Sequence, residues 1–146
     1  MEKTKNRWSL NLALAVLALL LIPSLASGAE PLLIAVASDD VEATSLVSNF
    51  AARSRYYLLF SGTDFVQVVN NPFLSRGGGS APFIVDYLAQ KGVGVVVAGR
   101  FGPYMIEAMN RRSMKYFQFS GTAQEAAERV INFLRPPKKD EKKSTQ

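Results

Sequence analysis

The chain has no cysteine and no histidine among its 146 residues. The absence of thiols excludes disulfide bonds and thiolate ligation of iron–sulfur clusters. The two absences together exclude Cys/His zinc sites and the catalytic triads or dyads that use either side chain. Little covalent chemistry remains without them, so we expect a binding or carrier domain rather than an enzyme.

An excess of positive charge is missing from the body of the chain, although the formal net charge is +5. Residues 30–134 carry nine basic and nine acidic side chains, so the surplus lies in the two ends. A nucleic-acid-binding domain needs a basic face for the phosphate backbone. We therefore expect no nucleic acid as partner. The hydrophobic fraction of 48% is enough for a packed core and excludes wholesale disorder.

The first 29 residues have the three-part pattern of an export signal. A basic start precedes an apolar run at 10–22, then Pro23, then small residues at 26–29, with cleavage expected before Ala29 or Glu30. The apolar run is shorter than the roughly 17–25 residues that span a bilayer, which favours a cleaved signal peptide over the alternative, an uncleaved anchor. We predict export to the periplasm or beyond, with membrane contact only through this segment if it is retained.

Apolar runs and turn residues in the rest of the chain predict the element order β-β-β-α-β-α-β-α. The turn at 61–64 makes the second and third strands an antiparallel hairpin, and the later crossovers place the first, fourth and fifth strands parallel. We predict a mixed five-stranded α/β sheet of order 3-2-1-4-5 with helices on its faces. The domain covers 30–134, and a basic disordered tail covers 135–146. The strands are expected at 32–37, 56–60, 65–69, 93–98 and 115–119, with helices starting after Ser80, Gly102 and Thr122 and capped by Ser80 and Thr122.

The predicted topology brings several loops to one edge of the sheet, where most glycines of the domain and four arginines lie. Backbone N–H groups at helix starts and guanidinium groups favour a shallow site for an anionic or polar ligand. The alternative is that these are only turn glycines and solvated arginines. We assign no catalytic residue and no metal-ligating side chain. The candidate binding residues are Ser38, Asp39, Arg53, Arg76, Gly77, Gly78, Gly79, Gly99, Arg100, Gly102, Gly121 and Thr122.

Several stretches carry a resemblance to a known family: IAVASDD at 34–40, Asn-Asn-Pro followed by three glycines at 70–79, GVGVVVAGRFG at 92–102, and Ser-Gly-Thr at 120–122. Over about residues 31–134 the chain resembles the dinitrogenase iron–molybdenum cofactor family, with its NifX-like and NifB C-terminal-like domains. The resemblance implies a ribonuclease H-like α/β fold. It also implies binding, carriage or insertion of iron–sulfur or iron–molybdenum clusters without catalysis.

The chain departs from the family pattern before the second strand, where members often carry a His-Phe-Gly-Arg-like segment. Residues 49–53 read Asn-Phe-Ala-Ala-Arg, which keeps the arginine at Arg53 and lacks the histidine and glycine. A cluster held here without His or Cys ligands would be contacted by backbone N–H groups and by Arg53, Arg76 and Arg100.

Three functions follow as hypotheses. The first is an exported, non-enzymatic domain that holds an anionic ligand or cluster at the glycine-lined edge. The second is an interaction module that docks a cell-envelope protein through the same edge or through the exposed hairpin strand. The third, a ribonuclease H-type nuclease, needs carboxylates on the central strands, and the strands at 32–37 and 93–98 contain none.

Overall fold

The computed structural model describes residues 31–135, so the predicted signal peptide and the tail beyond Arg135 lie outside the described residues. The described part contains five strands, three helices and two short 3-10 turns at Ala51–Arg53 and Leu74–Arg76. The strands are β1 (Leu33–Ser38), β2 (Tyr56–Ser61), β3 (Asp64–Asn70), β4 (Val93–Ala98) and β5 (Lys115–Gln118). The helices are α1 (Ala81–Gln90), α2 (Pro103–Arg111) and α3 (Ala123–Leu134).

The five strands form one mixed sheet in the order β3-β2-β1-β4-β5, which confirms the predicted fold class and strand order. Strands β1, β4 and β5 are parallel, whereas β2 is antiparallel to both β1 and β3. The two central strands are continuous apolar runs because helices cover both of their faces. Residues 34–37 of β1 and 95–98 of β4 are accordingly fully buried.

Two hydrophobic cores lie on opposite faces of the sheet. One contains Ala35, Tyr57 and Val96 from the strands, packed against side chains of α1 and α2 such as Leu88 and Met109. The other contains alternate residues of the same strands, packed against α3. Because successive strand residues point to opposite faces, each central strand supplies both cores. The result is a three-layer domain with α1 and α2 on one side and α3 on the other.

The helix ends show which local predictions the backbone follows. Gly92 has φ +82° just after α1, and its N–H donates to the Ala89 carbonyl, as expected for a glycine that ends a helix. Thr122 forms the predicted capping box with Glu125. The prediction for Ser80 is wrong. It has helical angles (φ −70°, ψ −22°) and makes no capping hydrogen bond, because a capping side chain reaches the helix N–H groups from an extended backbone.

Within residues 31–135, no helix combines the length and the apolarity needed to cross a bilayer.

Candidate functional site

Strands β1, β3, β4 and β5 end, and β2 begins, at one edge of the sheet, which we call the carboxyl edge. The register aligns Ser38 with Tyr56, Tyr56 with Asn70, and Ala98 with Gln118 across the sheet. The segments that leave these positions contain all twelve candidate binding residues. The topology therefore places them at or next to one edge, and their individual contacts decide which of them a ligand could reach.

A 17-residue connection between β1 and β2, residues 39–55, runs over this edge and is called the strap. It lies over the carboxyl ends of β1 and β4, two adjacent parallel strands. Ligands in open α/β sheets usually bind in a crevice outside the carboxyl ends of the strands, and here the chain itself fills that space. Val47 forms a β-bridge with Ser38. Three backbone hydrogen bonds add to it: the Ser48 N–H donates to the Ala37 carbonyl (2.8 Å), the Gly99 N–H to the Ser48 carbonyl (2.9 Å), and the Ala51 N–H to the Arg100 carbonyl (3.1 Å).

Buried polar side chains hold the strap from below, at its 3-10 turn Ala51–Arg53. The Tyr57 hydroxyl donates to the Ala51 carbonyl, which also accepts from the Ser54 hydroxyl at 3.0 Å. The Asn71 amide donates to the carbonyls of Ala52 and Ser54 at 3.2 and 2.9 Å. Burial raises the pKa of Tyr57 far above its usual value, with a smaller opposing effect from Ser54, so its hydroxyl remains a proton donor.

Gly99 permits a very close approach between the strap and the end of β4. A Cβ at this position would lie 3.0 Å from the Asn49 Cα and 3.2 Å from the Asn49 carbonyl oxygen. Both are backbone atoms, which cannot rotate away as a side chain can. Glycine avoids this close contact, whereas any side chain here would require the strap to give by a few tenths of an ångström.

Two exposed arginines lie on the chain segments that pair where the strap crosses the end of β4. The hydrogen bond between the Ala51 N–H and the Arg100 carbonyl joins their backbone segments, and Arg53 follows two residues later. Among residues 31–135, neither Arg53 nor Arg100 lies within ion-pair distance of a carboxylate. Both guanidinium groups are thus available to an anion, although exposed acidic side chains (Asp39, Asp40 and Glu42) also lie on the strap.

The three-glycine loop and the start of α2 border open space. Gly77 and Gly79 have positive φ values of +68° and +90°, and a Cβ at 77, 78, 79 or 102 would meet nothing within 4 Å. No side chain caps α1 or α2. The Arg76 guanidinium stacks on the Phe83 ring at 4.0 Å, which fixes it over the first turn of α1.

The remaining candidates are engaged in holding the strap rather than facing open space. The buried Ser38 hydroxyl donates to the Leu46 carbonyl, and an Asp39 carboxylate oxygen accepts from the Arg55 N–H, both at 3.2 Å. The Gly121 carbonyl accepts from the Val47 N–H at 2.9 Å. Thr122 is occupied by its capping box.

The start of α3 accordingly has no free donors for an anion. The N–H groups of Ala123 and Gln124 donate to the strap carbonyls of Ser45 and Ala43 at 2.8 and 2.9 Å. The Glu125 carboxylate accepts from the Thr122 N–H at 2.8 Å, and this hydrogen bond, followed by that of the Thr122 side chain, lowers the pKa of Glu125. Of the three helix starts, only those of α1 and α2 remain open.

A groove of about 630 Å³ lies elsewhere, between α1 and α2. It contains none of the twelve candidates and reaches Val93 and Met114, at the edge of the sheet opposite the carboxyl edge. Asp86 and Arg112 in its wall pair at 2.7 Å. The groove and the carboxyl edge are therefore separate features.

Guanidinium and backbone N–H groups are prominent among the polar groups of the carboxyl edge. Among residues 31–135, no three or more His, Cys, Asp or Glu side chains are arranged so that they could hold a metal ion. With no Cys or His in the chain, guanidinium and backbone N–H groups are the available partners. They can hydrogen-bond to the outer atoms of a bound anion.

Comparisons with known proteins agree with this fold. Curated proteins give no significant match. The NifB protein TM1290 from Thermotoga shares 28% identity and a TM-score of 0.58, covering 72% of this chain and 89% of its own. The apo form of the orange protein from Desulfovibrio gigas shares 24% identity and a TM-score of 0.62, covering 70% of this chain and 86% of its own. The protein PH0822 shares 21% identity and a TM-score of 0.58, covering 70% of this chain and 91% of its own. The model of the dinitrogenase iron-molybdenum cofactor family matches residues 30–132, and the chain belongs to that family.

Proposed function

We propose that this protein is an exported, non-enzymatic domain that holds a preassembled anionic cluster, of the iron–sulfur or iron–molybdenum type, as cargo at the carboxyl edge. The observation that carries the proposal is the pair of exposed arginines, Arg53 and Arg100, on segments joined by a backbone hydrogen bond and without a carboxylate partner in the described residues. The family match supplies the class of cargo.

The arginines fit such a cargo because a guanidinium group presents several N–H donors and is weakly hydrated. It can contact the sulfides or an organic acid of a cluster without replacing a metal ligand. The uncapped starts of α1 and α2 add partial positive charge from the helix dipole nearby. This binding mode needs no thiolate or imidazole.

The direct test is anaerobic incubation of the chain with a preformed iron–sulfur or iron–molybdenum–sulfur cluster anion, followed by gel filtration, visible spectroscopy and metal analysis. We expect colour and metal to co-elute with the protein. A colourless, metal-free protein would contradict the proposal.

Variants identify the site. The double variant Arg53→Gln/Arg100→Gln should lower the fraction of protein that carries bound cluster about tenfold or more, because each substitution removes charge-assisted hydrogen bonds. The matched control, Arg111→Gln with Arg129→Gln, removes the same charge from α2 and α3 and should bind as the wild type does. Equal loss in both pairs would point to net charge rather than to this edge.

A second candidate function is a cell-envelope interaction module. It is favoured by the apolar side chains that the same surface exposes: Leu46 (72% exposed) and Phe50 (52%) on the strap, and Tyr104 (70%) at the start of α2. The outer side of β3 offers a further edge for strand pairing. Cross-linking in envelope extract should then capture one reproducible partner with the metal-free protein. The Leu46→Asp variant should no longer capture that partner, and its outcome in the metal-binding test should be the same as that of the wild type.

A further inference from the structure

We propose that the strap acts as a lid whose seated position builds the ligand surface, and that Gly99 is the positioning residue that allows it to seat. The ligand-dependent half of this inference rests on the proposed function. The seating half concerns the chain alone and is measured without a ligand.

The strap, and not the bare strand ends, presents the surface of the carboxyl edge. Its residues 47–51 fill the crevice above β1 and β4 by backbone hydrogen bonds to Ala37, Gly99 and Arg100. The seated strap also joins the Ala51 N–H to the Arg100 carbonyl, two residues before Arg53. A displaced strap would leave the ends of β1 and β4 open and change the surface that a ligand meets beside Arg100.

Seating of the first half of the strap depends on hydrogen bonds more than on apolar burial. Val41, Leu46 and Phe50 are exposed, Ala43 and Val47 are only partly buried against the core on the α3 side, and the Ser38 hydroxyl donates to the Leu46 carbonyl. A segment with few buried apolar contacts opens at a lower free energy than the core does. The second half is tied down by Tyr57 and Asn71, so we expect opening to hinge near Ala51.

A ligand that contacts Arg100 and the surface of strap residues 47–51 would link the strap to the β4–α2 connection. Because such a ligand binds the seated strap better than a displaced one, it must shift the equilibrium toward the seated state. The protection of the strap from hydrogen exchange and the affinity of the protein for the ligand are then coupled. A change that unseats the strap should weaken binding although it removes no ligand contact.

Gly99 and Gly94 provide a matched pair on the same strand. A Cβ at Gly99 would lie 3.0 and 3.2 Å from backbone atoms of Asn49, so the strap would have to give by a few tenths of an ångström. A Cβ at Gly94 would meet only the Cδ1 of Leu32, the flexible end of a side chain, at 3.3 Å. The same alanine substitution should therefore unseat the strap at one position and leave it in place at the other.

The seating test is hydrogen exchange of the ligand-free chain, measured by mass spectrometry. In Gly99→Ala, peptides covering 45–53 should exchange about tenfold faster while peptides of β1 and α3 keep their rates; this local change distinguishes seating from general destabilisation. Gly94→Ala should match the wild type. Unchanged strap exchange in Gly99→Ala overturns the inference. If Gly99→Ala does not fold, Ser38→Ala, which removes the hydrogen bond to Leu46, must show the same local acceleration.

The coupling test uses tetrathiomolybdate, a simple molybdenum–sulfide anion, as the probe. It should slow exchange at 45–53 in the wild type, and Gly99→Ala should bind it about tenfold more weakly than Gly94→Ala, a difference of about 1.4 kcal/mol. Equal affinities of the two variants would overturn the role of the strap as a lid and would leave the proposed function standing. A wild type that binds neither the probe nor a preformed cluster would end the proposed function and the coupling together. The ligand-free exchange would still decide the role of Gly99.

Discussion

Thr122 and Ser80 both precede helices, and their backbone angles decide what their hydroxyl groups do. Thr122 is extended (φ −79°, ψ 159°), so its side chain accepts from the Glu125 N–H. Ser80 is already helical and makes no such bond. We predict that Thr122→Ala lowers the free energy of unfolding by about 1 kcal/mol, and that Ser80→Ala lowers it by clearly less. Urea denaturation measures both, and equal losses would contradict the assignment of the cap.

The Glu125 carboxylate makes one part of the stability depend on pH. Its pKa is lowered in the folded chain, first by the hydrogen bond from the Thr122 N–H. A lowered folded-state pKa means that the contribution is complete above the ordinary Glu pKa and is lost as pH falls through the folded-state value. We expect the wild type to exceed Glu125→Gln in melting temperature at pH 7, and the difference to shrink at pH 2.5. A difference that stays constant with pH would exclude this linkage.

At the scale of elements, apolar packing rather than charge holds α2 in place. The ion pair between Asp86 and Arg112 joins α1 to α2, but its side chains are 49% and 44% exposed, and such pairs contribute about 0–1 kcal/mol. Met109 of α2 is fully buried in the core below. We predict a loss of about 2–5 kcal/mol for Met109→Ala and of less than about 1 kcal/mol for Asp86→Asn. Chemical denaturation at low and high salt tests this, and a larger loss in the charge variant would reverse the ranking.

The strap is the element that the sequence did not predict. Its 17 residues lack a period that indicates a helix or a strand, and no element is predicted between the first and second strands. The available signal was length, because connections longer than about 12–15 residues are uncommon and are usually functional. Its seat above β1 and β4 could not be read from residues 39–55, because the partners of its backbone lie at Ala37, Gly99 and Arg100.

At the scale of the whole molecule, the distribution of charge separates the domain from its two ends. The body at 30–134 is neutral by formal charge, whereas the basic residues of 1–29 precede an apolar run. We predict that the exported protein begins at Ala29 or Glu30, because a 13-residue apolar run is too short to anchor a chain across a bilayer. N-terminal sequencing of protein from the envelope or medium measures this. A start at Met1 would favour the uncleaved anchor.

The strand order and the boundaries of most elements follow from the sequence alone. Apolar runs at β1 and β4 require helices on both faces, and a short turn between β2 and β3 leaves only a hairpin. Which candidate residues remain available depends on the tertiary packing. That packing leaves Arg53, Arg100 and the three-glycine loop exposed, engages Ser38 and Gly121 in holding the strap, and places Thr122 in the cap of α3. The physical reason is that backbone hydrogen bonds between distant segments depend on which chain passes over which strand end, and no local pattern of side chains records that path.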